Sequence, residues 1–307
     1  MFGLIGNSLA AFVIIKHWEP ISTNVYFTAI VSFSNVYITA LVIYSTPLLL
    51  FGIRLDCDII TIFMWFPCTC VAWLTVVISF EKVLVSWRSN INNTVCSVKT
   101  AFWSLVVVAA SVLLIEFHMI GGIITVEVTE GNKTIRICTG RTVRITDYMM
   151  NIFPFLDNIS YSIVPGILLI ALNTLLIRNV MVQRRKVRSA GRSQLGVSTI
   201  PDNRTNDVDR DDSNTSSSTH RSVNKSADRR VIYLIRLSIL FSGSFLFLNL
   251  PSSLCLMLLV FDMFQLNVST PTVAEVIFVF STLLILISNS INGMMYCLAS
   301  SKFRKKL

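Results

Sequence analysis

Charge is what this chain has least of. Of its 307 residues only 14% are charged, against 53% hydrophobic, whereas soluble domains carry about 25% charged residues. So little polar surface excludes an ordinary water-soluble globular protein. The marks of catalysis are also missing. There is no phosphate-binding glycine loop, no nucleophile elbow and no helix of metal-ligating histidines, and histidine numbers only three. The seven cysteines, at 57, 68, 70, 96, 138, 255 and 297, form no CxxC pair and no Cys/His cluster at zinc spacing. Neither an enzyme, a metal nor a cofactor is therefore expected. The net charge of +9 does not point to nucleic acid, because the lysines and arginines cluster in loops between apolar runs, where membrane orientation explains them. At the start the positive charge follows the apolar run and no small-residue cleavage site is evident, which speaks against a signal peptide.

What the chain does have is long uncharged runs. Between Asp58 and Glu81 lie twenty-two residues without a formal charge, long enough at about 1.5 Å per residue to cross a hydrocarbon core of about 30 Å. A cysteine, Cys57, stands at one mouth of this run, and Glu81, Lys82 and Arg88 stand at the other. Around it fall six more runs: 1–15; 20–53, bent near Pro47; about 100–115; about 149–177, with Asp157 and Pro165 inside it; 237–261, interrupted by Pro251; and 276–301. The expected fold is an all-α membrane protein, a seven-helix transmembrane bundle forming one domain over 1–307. The first run is short for a crossing, and its helix is expected to begin upstream of Met1.

Twenty-one of the 26 lysines and arginines fall on one side if the loops after spans one, three and five and the tail are cytosolic. By the positive-inside rule the N-terminus is then outside and the C-terminus inside, in the plasma membrane. The outer segment from Ile123 to Cys138 holds two β-rich runs around Glu130, Gly131 and Asn132, which predicts a β-hairpin in the second extracellular loop. This topology puts Cys138 on the side of Cys57, and a Cys57–Cys138 disulfide is expected in that oxidising compartment. Asn132 and Asn267 begin glycosylation sequons on the same side. Residues 187–228, rich in Ser, Thr, Asn, Asp and Arg and nearly without aromatics, are expected to form a disordered third cytosolic loop. Ser213 to Ser218 there are either phosphate acceptors or part of a solvated tether.

Seven spans, an outside N-terminus and a third-span cysteine facing a second-loop cysteine resemble the rhodopsin-like G protein-coupled receptors. Gly6-Asn7, Trp103, Pro165 and Pro251 match that family's marks on spans one, four, five and six. Asn292-Gly293-Met294-Met295-Tyr296 matches its Asn-Pro-x-x-Tyr with glycine for proline. Phe303 and its basic neighbours resemble the short amphipathic helix along the cytosolic face. The end of span seven looks most like invertebrate neuropeptide receptors of the FMRFamide-related kind.

The departures matter as much. Glu81-Lys82-Val83 stands where the family has Asp-Arg-Tyr. The acid–base pair is either a releasable lock facing a G protein or an anchor at the headgroups, and lysine lacks arginine's planar fork. Asn35 replaces the span-two aspartate and Val71 stands where span three usually adds a hydroxyl, so no stable sodium site is expected. Asn35 is expected to bond Asn7 and Asn292 instead. Asn249, in place of the usual tryptophan region before Pro251, fits either a pocket-floor switch or a partner for carbonyls freed by the kink. Span seven has no lysine, with Leu286 at the opsin position, and Met64 replaces the amine-receptor aspartate.

The resemblance thus implies a receptor for an extracellular ligand, a neuropeptide, signalling to a heterotrimeric G protein. Kinases and arrestin would act at the third cytosolic loop. Pocket candidates are Met64, Trp65, Cys68, Asp157, Ser252, Phe278 and Thr282; Tyr296 joins Asn7, Asn35, Asn249, Pro251 and Asn292 as polar core and switch positions. Asp157 either meets a cationic group of the ligand or pairs with a polar neighbour or water at the membrane edge. The alternatives are a receptor-like protein that no longer couples, and a seven-span transporter or channel.

Overall fold

The computed structural model describes residues 2–16, 21–51, 57–87, 97–117, 122–130, 133–195, 238–258 and 271–299. The chain is almost wholly helical. In order come α1 (Phe2–Lys16), α2 (Ser22–Phe51), α3 (Cys57–Trp87), α4 (Val98–Glu116), strands β1 (Ile123–Glu130) and β2 (Lys133–Gly140), α5 (Val143–Asn151), α6 (Phe153–Asn158), a π-helical turn (Ile159–Ile163), α7 (Val164–Leu195), α8 (Ser238–Leu258) and α9 (Pro271–Ala299). Six stretches are long and apolar enough to cross a membrane, and α1 is a shorter apolar helix. By length and composition this is a multi-pass membrane protein.

α3 is the pillar. It is the most buried of the six spans and α4 the least. α3 packs against α2, α4, α7 and the π-helical turn, and β1 lies against it. Two apolar layers surround it. One joins Ile14, Phe27, Ile30, Leu74, Ile78, Ala101 and Phe241, with the Phe27 and Phe241 rings 4.7 Å apart. The other joins Tyr37, Ile38, Cys68, Ala72, Val76, Tyr161, Leu169, Phe245 and Ile285. The side chains facing away from the bundle on α4, among them Phe102, Trp103, Val107 and Leu114, are exposed, as a lipid-facing helix requires.

β1 and β2 pair antiparallel, with Ile123 opposite Gly140 and Glu130 opposite Lys133. Thr142 then caps α5, its hydroxyl accepting from the Ile145 N–H at 3.3 Å. The span expected as one helix over 149–177 is instead built in pieces. The chain breaks at Ile152, where Pro154 opens α6 near its N-terminus. The next turn widens into a π-turn ending just before Pro165, with the Val164 N–H reaching the Ile159 carbonyl. Proline has no N–H for the carbonyl four residues back, and the looser turn accommodates that loss. The Trp73 indole donates to the Ser160 carbonyl of this turn at 3.2 Å, fastening it to α3.

A second difference lies at the far end of α7. Residues 187–195, expected as the start of a disordered loop, continue the helix to Leu195. The stretch from Arg184 to Gln194 contains no proline, and arginine, lysine and glutamine are good helix formers. The rest of that loop, with Ser213–Ser218, lies outside the described residues, as do Asn132, Asn267 and the tail around Phe303.

α1 meets α9 backbone to backbone. A Cβ on Gly293 would lie 2.7 Å from the Gly6 carbonyl oxygen and 2.8 Å from Asn7 Cα, whereas one on Gly6 would meet nothing within 4 Å. Glycine at 293 is therefore required by close approach. Gly293→Ala should destabilise the purified protein by about 1–3 kcal/mol, the usual cost of overpacking, and Gly6→Ala should leave it within about 0.5 kcal/mol. Thermal unfolding in detergent reads both; equal melting temperatures for the two variants would refute the close contact.

Candidate functional site

Three groups of polar side chains are buried in a molecule that has few to spare. The first is a seam joining α1, α2, α8, α9 and the π-turn. Asn7 donates from Nδ2 to the Asn289 carbonyl at 3.0 Å and accepts on Oδ1 from the Gly293 N–H at 2.8 Å. Those two backbone groups stand four residues apart and would ordinarily bond each other. The Asn7 carboxamide thus sits across the hydrogen-bond ladder of α9, a recognised cause of local bending. Proline at 293, as in the motif this segment resembles, would have no N–H to give.

From there the seam runs inward. Asn292 donates to Ser34 Oγ at 2.8 Å, and Ser34 donates to Asn289 Oδ1 at 3.3 Å. Asn289 Nδ2 bonds its own helix at the Ile285 carbonyl, 3.0 Å, and lies 3.7 Å from Cys68 Sγ. The adjacent Ser288 accepts from Asn249 Nδ2 at 2.8 Å, and Asn249 Oδ1 accepts from the Tyr161 hydroxyl at 2.6 Å. Asn249 therefore bridges α8 to α9 and to the π-turn, and its amide is committed to other helices rather than to the kink at Pro251.

Asn35 corrects an expectation. Its amide reaches Ser8 at 3.2 Å, not Asn7 or Asn292, and its Oδ1 is buried without a partner among the described residues. Successive helical residues point about 100° apart, so the neighbouring Ser34 takes the inward place.

The second group lies near the Trp87 end of α3. Glu81 Oε1 accepts from Lys82 Nζ at 3.1 Å and from Ser22 Oγ at 2.6 Å, while Lys82 Nζ donates to Thr23 Oγ1 at 2.7 Å. Glu81 is 4% and Lys82 6% exposed. Ser22 and Thr23 begin α2, so the carboxylate also faces a helix N-terminus, where negative charge is favoured. Val83 is buried too and packs with Leu176. Glu81, Lys82 and Val83, expected to face a G protein, thus offer no surface in this conformation. Beside them Ser79 lies 3.3 Å from Ser238 and 3.0 Å from Ser242, joining α3 to α8.

The third group is toward the Cys57 end. Asp157 in α6 is buried, and so is Glu116 at the end of α4. Both oxygens of Glu116 are buried, and the Thr69 hydroxyl of α3 is the hydrogen-bonding side chain beside them. Sequence inspection singled out Asp157 alone, because Glu116 closes its apolar run and reads as the boundary of a span. The signal was available: an acid beside phenylalanine at a run's end can turn inward as readily as outward.

Of the other pocket candidates, Met64 packs on the cluster containing Cys68, and Trp65 is partly buried. Ser252 is spent on the Ser281 carbonyl at 2.8 Å and Thr282 on the Phe278 carbonyl at 2.9 Å, and Phe278 is exposed. The side chains of Cys57, Cys138 and Tyr296 lie outside the described residues. No group of three or more metal-ligating side chains occurs among the described residues. No protein-family model matches the chain, and no curated protein matches it.

The Tyr161–Asn249–Ser288 bridge carries a direct test. Hydrogen bonds between membrane helices average about 0.6 kcal/mol and reach about 1.7. A double-mutant cycle of Tyr161→Phe with Asn249→Leu should give a coupling energy of about 1 kcal/mol in chemical unfolding. Additivity of the two changes would show that the 2.6 Å contact contributes nothing.

Proposed function

We propose that this chain is a seven-helix receptor of the rhodopsin-like G protein-coupled type. It binds an extracellular ligand, a neuropeptide, and signals to a heterotrimeric G protein. The observation that carries this reading is the buried clamp of Glu81 and Lys82 on Ser22 and Thr23. An acid–base pair at the end of the central helix, held by the first turn of its neighbour, is what a closed signalling crevice needs. Removing one partner of a buried ion pair costs about 3–5 kcal/mol, and a state in which both groups gain other partners escapes that cost.

In this reading α1 is the first of seven spans, the Trp87 end of α3 faces the cytosol, and the N-terminus is outside. Cys57 and Cys138 form a disulfide holding the β1–β2 pair over α3, with sugars on Asn132 and Asn267. Ligand entering from the Cys57 end shifts α8 about Pro251, the seam through Asn249 rearranges, and the clamp opens so that Lys82 meets the G protein. Ligand and G protein favour the same state and so strengthen each other's binding. Kinases and arrestin act on the loop after α7.

A second reading rests on Glu116. Two acids buried within the span region, rather than Asp157 alone, also suit a transporter or channel. Ion flux into liposomes containing the protein would favour that class.

The receptor reading is tested by screening amidated peptides on cells expressing the protein, with G protein nucleotide exchange as readout. Thr23→Val removes a hydrogen bond to a charged group, worth about 1.5–3 kcal/mol, and should raise basal exchange about tenfold or more. With surface expression confirmed, the absence of any basal or ligand-stimulated exchange in both proteins would overturn coupling.

A further inference from the structure

Among the described residues, the clamp's bonds to another helix all lead to α2. Glu81 accepts from Ser22 and Lys82 donates to Thr23, so the clamp fastens α3 to α2 and not to α8. α8 has no charge with which to form an ion pair of its own. Between Ser238 and Leu258 there is no lysine, arginine, histidine, aspartate or glutamate. What it has instead is serine. Ser238 and Ser242 stand one turn apart on α8 and so share a face. Ser79 of α3 lies 3.3 Å from the first hydroxyl and 3.0 Å from the second, and all three side chains are buried. A hydroxyl carries one proton and two lone pairs, so Ser79 can donate to one partner and accept from the other. Ile78 and Phe241, chain neighbours of Ser79 and Ser242, belong to one buried apolar cluster, and the hydroxyls therefore meet away from water. Ser244 is spent elsewhere, on the Phe241 carbonyl of its own helix at 2.9 Å.

We propose that Ser79, Ser238 and Ser242 form a hydroxyl latch that holds the start of α8 on α3, separately from the Glu81–Lys82 clamp. Its bonds are neutral, and that decides which contact at this end of α3 gives way first. A serine released from the latch can turn to a carbonyl of its own preceding turn, as Thr75 does with the Val71 carbonyl at 2.8 Å. Opening the latch thus strands no polar atom. Opening the clamp strands buried ions, each with a heavy desolvation cost unless a new partner is at hand. The start of α8 accordingly detaches while α2 and α3 remain joined. That such detachment admits a G protein rests on the receptor reading; the latch itself does not.

The test is hydrogen exchange read by mass spectrometry on the full chain purified in detergent, comparing peptides that cover 22–33 and 238–249. Ser79→Ala should speed exchange in 238–249 about three- to eightfold, the loss of one to two hydrogen bonds between membrane helices, and leave 22–33 unchanged. Ser238→Ala and Ser242→Ala should each give part of that effect. Thr75→Val removes a buried hydroxyl one turn away on α3 that bonds its own helix, and should leave 238–249 as it was. Glu81→Gln should act on 22–33 instead. Unchanged exchange in 238–249 for Ser79→Ala would overturn the proposal, as would an equal effect of Thr75→Val or a rise spread evenly over both peptides. If Ser79→Ala fails to fold, the two α8 variants decide on the same peptides. No G protein enters this readout, so an absence of nucleotide exchange would sink the receptor reading alone, and an unmoved α8 would sink the latch alone.

Discussion

A polar group inside a bilayer has no water to fall back on, and in this protein that constraint concentrates on one carboxamide. Asn7 stands between the Gly293 N–H and the Asn289 carbonyl and satisfies both. To do so α1 must touch α9 at backbone distance, which is why position 293 has no room for a side chain. Once that contact is made, Asn289 and Asn292 face Ser34, and the adjacent Ser288 faces Asn249. The seam then reaches Tyr161 on a π-turn that exists because Pro165 has no N–H to give. Each polar residue is bearable in an apolar core because the next one answers it.

The two ends of α3 differ in the same terms. At the Trp87 end a buried acid and base are matched to each other and to two hydroxyls from the start of α2. Toward the Cys57 end the buried acids, Asp157 and Glu116, come from α6 and from the end of α4. The broken, π-bulged span from α5 to α7 is tied to α3 through Trp73 and to α8 and α9 through Asn249.

Some of this was legible in the linear chain. The apolar runs mark where helices lie, because a membrane accepts backbone only when each segment bonds itself, and runs of twenty or more uncharged residues have few other uses. The pairing of Glu81 with Lys82 also follows from adjacency at a helix end. The inward face was harder to read. Asn35 had the more polar side chain and the matching position, yet Ser34 is the one that meets Asn292, a matter of one residue's rotation. Glu116 was passed over because a charged residue at the end of a run marks a boundary in one dimension and a direction only in three.

The sequence by itself determined that the chain is helical and membrane-spanning, because hydrophobicity and length are properties of a segment taken alone. Which polar residues are answered and which are left waiting was decided only by the tertiary structure. That depends on the rotation of each helix about its axis and on how closely neighbours approach. Those quantities depend on Gly293, which meets Gly6 and Asn7 far away in the chain, and on the break at Ile152 and the π-turn before Pro165, which turn their span against distant helices.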